Sequence, residues 1–130
     1  MATSSVRFRN ALSPSAIEAI EEAGKRGAVW VSAISVWEVA MLERRGRISL
    51  SRPIDDWVHA ALGAPGVQLL PLSPEIAIES TRLPGAPHGD PADRILMASA
   101  RIVDGQLATC DRDILEYARG GQLAVLDGRH

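Results

Sequence analysis

Cysteine occurs once in the 130 residues, at Cys110. That excludes an internal disulfide framework and any zinc site built from several cysteines, and the place of Cys110 in an apolar strand pattern predicts simple packing for it. No apolar run reaches the length that spans a bilayer, and the opening Met1-Ala2-Thr3-Ser4-Ser5 has no hydrophobic segment of the signal-peptide kind. The expected compartment is the cytoplasm, with no membrane contact. Positive charge is not in excess either: 14 basic and 16 acidic residues leave a formal charge of −2. Broad electrostatics therefore cannot hold a nucleic acid, and any polyanion must be gripped locally. Lys25 is the one lysine among the basic residues, which leaves arginine forks for bidentate phosphate contacts. Arg44, Arg45 and Arg47 are the best such cluster, although a solvated helix end favoured by the dipole explains them equally well. What remains, 46% apolar residues with mixed charges, describes an ordinary globular chain with material for one core. A single domain over 1–130 is expected.

The stretch His88-Gly89-Asp90-Pro91-Ala92-Asp93-Arg94-Ile95-Leu96-Met97-Ala98-Ser99-Ala100 organises the rest. Asp90 suits a helix cap, Pro91 its first turn, and Ile95, Leu96, Ser99 and Ile102 recur at helical spacing on a buried face. Asp93 falls in the same first turn. Beyond it, Gly105 to Cys110 reads as a short strand that delivers Asp111 at its carboxyl end, where open α/β sheets place their crevices.

Upstream, residues 1–12 read as irregular, loop or weak strand. Ser13-Pro14 opens a helix with Ile17, Ile20 and Ala23 on one face, ended by Gly24 or Gly27. Ala28 to Ser32 is apolar on both faces, as in a central strand of a covered parallel sheet. A helix with Val36, Val39 and Ala40 follows and stops at Gly46. Pro53 to Leu62 reads as another, with Ile54, Trp57, Val58 and Ala61 inward. Val67 to Pro71 is a strand, Ser73-Pro74-Glu75 starts a helix lasting to about Leu83, and Pro84-Gly85-Ala86-Pro87 breaks it. Asp113 to Ala118 is a short helix and Leu123 to Leu126 a last strand. Such alternation predicts an α/β fold, a three-layer sandwich with a parallel sheet. Trp30, Val31, Ile34, Val39, Leu69, Ile95, Leu96, Leu107 and Val125 are its expected core.

Glu38, Asp90, Asp93 and Asp111 all fall at helix starts just after strands. Each has a structural alternative. Ser35-Val36-Trp37-Glu38 is a capping box, Asp90 and Asp111 are good N-caps, and Asp93 complements the helix dipole. Taken together they converge, because strand-to-helix junctions of one parallel sheet share an edge. Clustered carboxylates raise one another's pKa values unless a cation neutralises them. With oxygen ligands alone, Mg²⁺ or Mn²⁺ suits the set better than zinc, and phosphodiester hydrolysis suits the metal. His88, between Pro87 and Gly89, reads as a solvated loop residue and Asp104-Gly105 as turn chemistry.

The chain resembles the PIN-domain ribonucleases, especially the VapC-like toxins of bacterial toxin–antitoxin pairs. The likeness is carried in order, from Leu12 to Leu126, by Val31-Ser32-Ala33-Ile34-Ser35-Val36-Trp37-Glu38-Val39-Ala40, Arg44-Arg45-Gly46-Arg47-Ile48-Ser49-Leu50, Leu70-Pro71-Leu72-Ser73, Asp90-Pro91-Ala92-Asp93-Arg94 and Leu107-Ala108-Thr109-Cys110-Asp111-Arg112-Asp113. The resemblance implies a PIN-like fold and RNA cleavage at an Mg²⁺ site formed by Glu38, Asp93 and Asp111, with Asp90 and Asp113 as auxiliary acids. It also implies a cognate antitoxin whose tail fills the groove. The family pattern opens, before the Leu12-Ser13-Pro14 match, with an apolar strand ending in an aspartate. Residues 1–12 show no acid and no credible apolar strand, so the first family strand is expected to be missing. Either the chain starts downstream of the true beginning or it is a natural remnant.

The leading expectation is an Mg²⁺-dependent endoribonuclease toxin, weakened by the missing aspartate. Its rival is an inactive PIN module that binds an antitoxin without cutting RNA. A phosphoacceptor receiver domain also gathers acids at strand ends, but it would need a late lysine, and Lys25 is too early. Two strand edges left open by a missing central strand would favour association, so a homodimer or larger species is expected.

Overall fold

A computed structural model of the chain describes residues 2–3, 13–85, 87 and 89–130. Among the described residues eleven elements follow one another: β1 (Ala2–Thr3), α1 (Pro14–Lys25), β2 (Val29–Ser32), α2 (Ala33–Arg44), α3 (Ile54–Leu62), β3 (Val67–Leu70), α4 (Pro74–Ser80), α5 (Pro91–Ile102), β4 (Leu107–Thr109), α6 (Arg112–Ala118) and β5 (Val125–Asp127). All strand pairs are parallel, in the order β3-β2-β1-β4-β5. The fold is the expected three-layer α/β sandwich.

The Ser-Pro pairs act as their chemistry dictates. Ser13 and Ser73 each accept the N–H three residues on, from Ala16 and Ile76 at 3.2 Å, while Pro14 and Pro74 fill the first turn, where a missing N–H costs nothing. Several boundaries differ from the sequence expectation, most of them by one residue and three by more. α4 stops at Ser80, after which the buried Leu83 anchors the chain from outside the helix. β4 stops at Thr109. β5 covers Val125 to Asp127, because its register sets Leu107 opposite Val125 and Thr109 opposite Asp127.

Ala2–Thr3 takes the central place for which the sequence offered no strand. Its partners are Trp30 and Val31 on one side and Ala108 on the other. A strand this short shows no apolar alternation; what it supplies is backbone N–H and C=O groups for two neighbours that would otherwise lack them. It supplies no carboxylate. The edges of β2 and β4 are paired there, so association through an open gap between them is not the arrangement found. Val6 to Arg9, considered as a substitute strand, lie outside the described residues.

The core forms where α4, α5 and α6 meet the sheet: Leu70, Ile76, Leu83, Leu96, Met97, Leu107, Ile114 and Leu123 are buried together, with Trp30, Ile34, Ile95 and Val125 packed against them. Val31 and Val39 are buried as expected. Leu69 is not. It is 44% exposed, on the opposite face of β3 from the buried Leu70. α3 likewise turns Ile54, Trp57 and Val58 only halfway inward. The approach of α1 to β3 depends on Gly66, whose φ is +80° and where a Cβ would sit 1.8 Å from the Gly24 carbonyl oxygen.

Candidate active site

β2 and β4 flank β1 and run parallel to it, so their carboxyl ends share one edge of the sheet. The five acids singled out in the sequence belong to the helices that start there. α2 begins at Ala33 with no loop after β2, so Glu38 lies in its second turn. Asp90 and Asp93 open α5, and Asp111 and Asp113 open α6 directly after β4.

The structural alternatives separate at this point. Asp90 is the N-cap of α5, accepting the Asp93 N–H at 2.8 Å. Asp111 is the N-cap of α6, its Oδ1 accepting from Asp113 at 2.8 Å and Ile114 at 3.1 Å. Glu38, however, is no part of a capping box. The N-cap of α2 is Ser32, which accepts from the Ile34 N–H at 3.2 Å, and Ser35 sits inside the helix, buried, with its Oγ unpaired. The box pattern assumed a loop between strand and helix, and β2 runs straight into α2 instead. Glu38 is half-buried in that second turn with no capping duty.

Charge shows which acids the fold brings together. The carboxyl of Asp93 is raised to about 6, first by burial and then by the negative charges of Asp90, Asp111, Glu38 and Asp113. All four other candidates therefore act on Asp93. They do not make a closed cage as they stand: among the described residues no three His, Cys, Asp or Glu side chains come together closely enough to ligate one ion. The donor set still fits a hard divalent cation, because it is entirely carboxylate oxygen and its central member is destabilised by like charge that a cation would offset.

The remaining candidates stand elsewhere. Arg44 ends α2 and Arg45 caps it, with Arg47 just beyond, all exposed. Arg44 is roughly 9 Å along the helix axis from Glu38, and cations at that end match the dipole. Asp104 has φ 53° in an exposed turn, as its neighbour Gly105 suggested. His88 is outside the described residues. Cys110 is not packed in a strand: β4 ends one residue earlier and Cys110 is exposed, its thiol pushed up by burial of the sulfur and by Asp127.

Sequence reasoning passed over two features. An open groove of about 400 Å³ between α6 and β5 carries Arg112, Arg119 and Arg129, with Glu116 and Asp127 among them; its residues share no motif or common periodic spacing. Trp37, directly before Glu38, is 53% exposed. Its signal was a large aromatic beside a candidate acid in a chain with only 4% aromatic residues.

The profile of the PIN domain family matches residues 8–120. The chain is 37% identical over 106 residues to Ribonuclease VapC22 of Mycobacterium tuberculosis (strain ATCC 25618 / H37Rv), across 82% of this chain and 78% of that protein. Among solved structures it is similar to FitAcB from Neisseria gonorrhoeae, with a TM-score of 0.62, 19% identity and coverage of 98% of each chain. It is also similar to a toxin–antitoxin complex from Klebsiella pneumoniae, with a TM-score of 0.56, 19% identity, and coverage of 78% of this chain and 75% of the other. At these identities the two structures report shared fold.

Proposed function

The chain belongs to the PIN domain family, and from that premise we propose that it is a divalent-metal-dependent endoribonuclease, the toxin of a toxin–antitoxin pair, acting in the cytoplasm. The observation that carries the reading is the half-buried Asp93 carboxyl, raised first by burial and then by the negative charges of four other acids held at the same edge. Asp90 and Asp111 serve as helix caps, but capping does not explain why Asp93 and Glu38 are gathered with them, and a divalent cation would offset the repulsion that results. The ribonuclease named among its relatives supplies the reaction class, and the toxin–antitoxin complexes sharing its fold supply the partner class.

Glu38, Asp93 and Asp111 would hold Mg²⁺ or Mn²⁺, with Asp90 and Asp113 as auxiliary acids. A bound cation supplies positive charge to the phosphate and acidifies water for attack on phosphorus. The protein's own part is positional. Asp90 fixes the first turn of α5 and with it the backbone of Asp93. Asp111 divides its work, Oδ1 holding the start of α6. Glu38 approaches from the other half of the sheet, so the set closes only when both halves are in register.

A second reading has its own observation: β1 brings no carboxylate to the centre of the edge. A module that binds an antitoxin without cutting RNA fits that shortage. One assay separates the two. Purified protein is incubated with single-stranded RNA in Mg²⁺, in Mn²⁺ and in EDTA, beside Asp93→Asn. Metal-dependent cleavage lost in Asp93→Asn supports the nuclease; no cleavage with either metal, together with binding of the antitoxin, moves the second reading to first place.

A further inference from the structure

We propose that the groove between α6 and β5 is a phosphate-binding subsite, holding the backbone of a single-stranded RNA where it leaves the acid edge. The proposal rests on the nuclease reading and names how that site grips its substrate away from the reacting bond.

One wall of the groove carries Arg112 and Arg119, seven residues apart at the two ends of α6. Two turns separate them, so they share a helix face and stand about 10 Å apart along its axis. The other wall carries Arg129, two residues after β5 ends. Strand register ties this wall to the acids. Thr109 lies opposite Asp127, and the Gly128 N–H donates to the Thr109 carbonyl at 2.8 Å. Two residues beyond Thr109 comes Asp111, with Arg112 directly after it. The groove therefore opens at the carboxyl edge that carries Asp111 and runs from there along α6.

The three guanidinium groups are available to an anion. Arg112 makes no ion pair among the described residues. Arg119 meets Glu116 at 3.6 Å with both side chains exposed, a contact that solvent screens. Asp127 takes Nε and Nη2 of Arg129 at 2.8 to 3.3 Å, which holds the fork in place and leaves Nη1 outside the contact. Three cations thus face two carboxylates, a local excess of positive charge in a chain that is net negative. A phosphodiester matches the planar fork of arginine. The acids around Asp93 repel phosphate, so RNA at their edge needs a grip beside them. No aromatic or amide side chain lines the groove, so it holds backbone and neither stacks nor reads a base. An acidic peptide would offer carboxylates to the same forks. Continuity favours RNA, because a strand lying across the acid edge runs on past Asp111 into this groove.

The test measures binding of a short fluorescein-labelled single-stranded RNA of randomised sequence by anisotropy, in EDTA so that no cleavage occurs, at KCl concentrations from about 50 to 200 mM. It compares the unmodified protein with Arg112→Gln, Arg129→Gln, Arg112→Lys and Glu116→Gln. Arg26→Gln is the control, an exposed arginine that caps the end of α1 ahead of β2, at the opposite edge of the sheet. Circular dichroism checks folding. Loss of one phosphate contact lowers the slope of log K against log salt by about 0.7, which weakens binding about fivefold near 0.1 M salt. Arg112→Gln and Arg129→Gln should each show that loss, and Arg112→Lys, which keeps the charge, should keep the slope. Glu116→Gln removes a negative charge from the groove and should tighten binding, a gain that misfolding does not imitate. An unchanged slope in either glutamine variant overturns the proposal, as does weaker binding in Glu116→Gln. An equal loss in Arg26→Gln also overturns it, since overall charge would then account for the effect. So does an unmodified protein that binds no RNA, or arginine variants that keep their RNA affinity and lose antitoxin binding. The cleavage assay with Mg²⁺ or Mn²⁺ stands apart: RNA binding that depends on Arg112 and Arg129 without any cleavage keeps the subsite and removes the nuclease reading. Metal-dependent cleavage with RNA binding indifferent to both arginines does the reverse.

Discussion

Asp90 accepts the backbone N–H of Asp93 at 2.8 Å while its negative charge raises the Asp93 carboxyl. One residue thus fixes the position of the other and makes its ionisation harder. The arrangement stores repulsion at the helix start, which protonation of Asp93 or a bound cation would release.

Metal-free protein should lose stability as pH rises from about 4 to 6. The Asp93 carboxyl moves from 3.8 to about 6 on folding, so between those values the native state binds more protons than the unfolded one, and the slope is negative. Above pH 6 this contribution is flat. Asp93→Asn should remove the slope and raise the urea midpoint at pH 7. Mn²⁺ at pH 7 should stabilise the unmodified protein more than the variant, since only a ligand that prefers the folded site shifts the equilibrium. Equal Mn²⁺ shifts in both proteins would sink the site assignment.

Asp111 allows its two duties to be told apart. Asparagine caps as well as aspartate, so Asp111→Asn should keep the urea midpoint while reducing metal affinity and cleavage. Asp111→Ala should lose both the cap and the charge, at about 0.5–2 kcal/mol of stability. A cleavage rate in Asp111→Asn equal to that of the unmodified protein would leave Asp111 with the cap alone.

Leu96 and Leu69 provide a contrast in packing. Leu96 is 4% exposed within the core, and Leu96→Ala should cost ~2–5 kcal/mol in chemical denaturation. Leu69 is 44% exposed, so Leu69→Ala should fall within about 0.5 kcal/mol of the unmodified protein.

A homodimer is expected, with β3 as the associating edge. Its unpaired flank and the exposed Leu69 and Leu72 are the features that edge-to-edge contact covers. Light scattering should give twice the chain mass at micromolar concentration, and Leu69→Lys should return it to a monomer. A monomer in the unmodified protein removes the expectation.

Periodicity and cap chemistry carried most of the fold. Ser13-Pro14, Ser73-Pro74 and Asp90-Pro91 mark helix starts by local bonding, which a sequence displays directly. Leu69 was misread as core because apolar character does not tell a covered sheet face from an open one; Leu70, its neighbour on the other face, is buried. β1 was invisible for a different reason, since two residues have no period and their role is backbone pairing. In the candidate site, Glu38, Asp90, Asp93 and Asp111 were singled out by the rule that parallel strands end on one edge, and Asp113 by the family resemblance; all four others bear on Asp93. The capping-box reading of Ser35 and Glu38 failed because the same four-residue pattern fits any helix start, and the direct passage from β2 to α2 moved the true cap to Ser32. Trp37 carried no periodic signal; its place beside Glu38 in an aromatic-poor chain was the sequence mark, and its exposure the structural one.

The brevity of β1 bears on how the protein breathes. Glu38 belongs to the β3-β2 half of the sheet, Asp111 to the β4-β5 half, and among the described residues the strand pairing between the halves runs through Ala2 and Thr3 alone, beside the shared helical core. Such a seam opens at lower free energy than the strands on either side, so amide exchange should be fastest along it. Each opening would change the span between Glu38 and Asp111. An ion bridging those carboxylates would clamp the seam from above, and loading the site should slow amide exchange at Trp30, Val31 and Ala108, residues that touch no ion themselves.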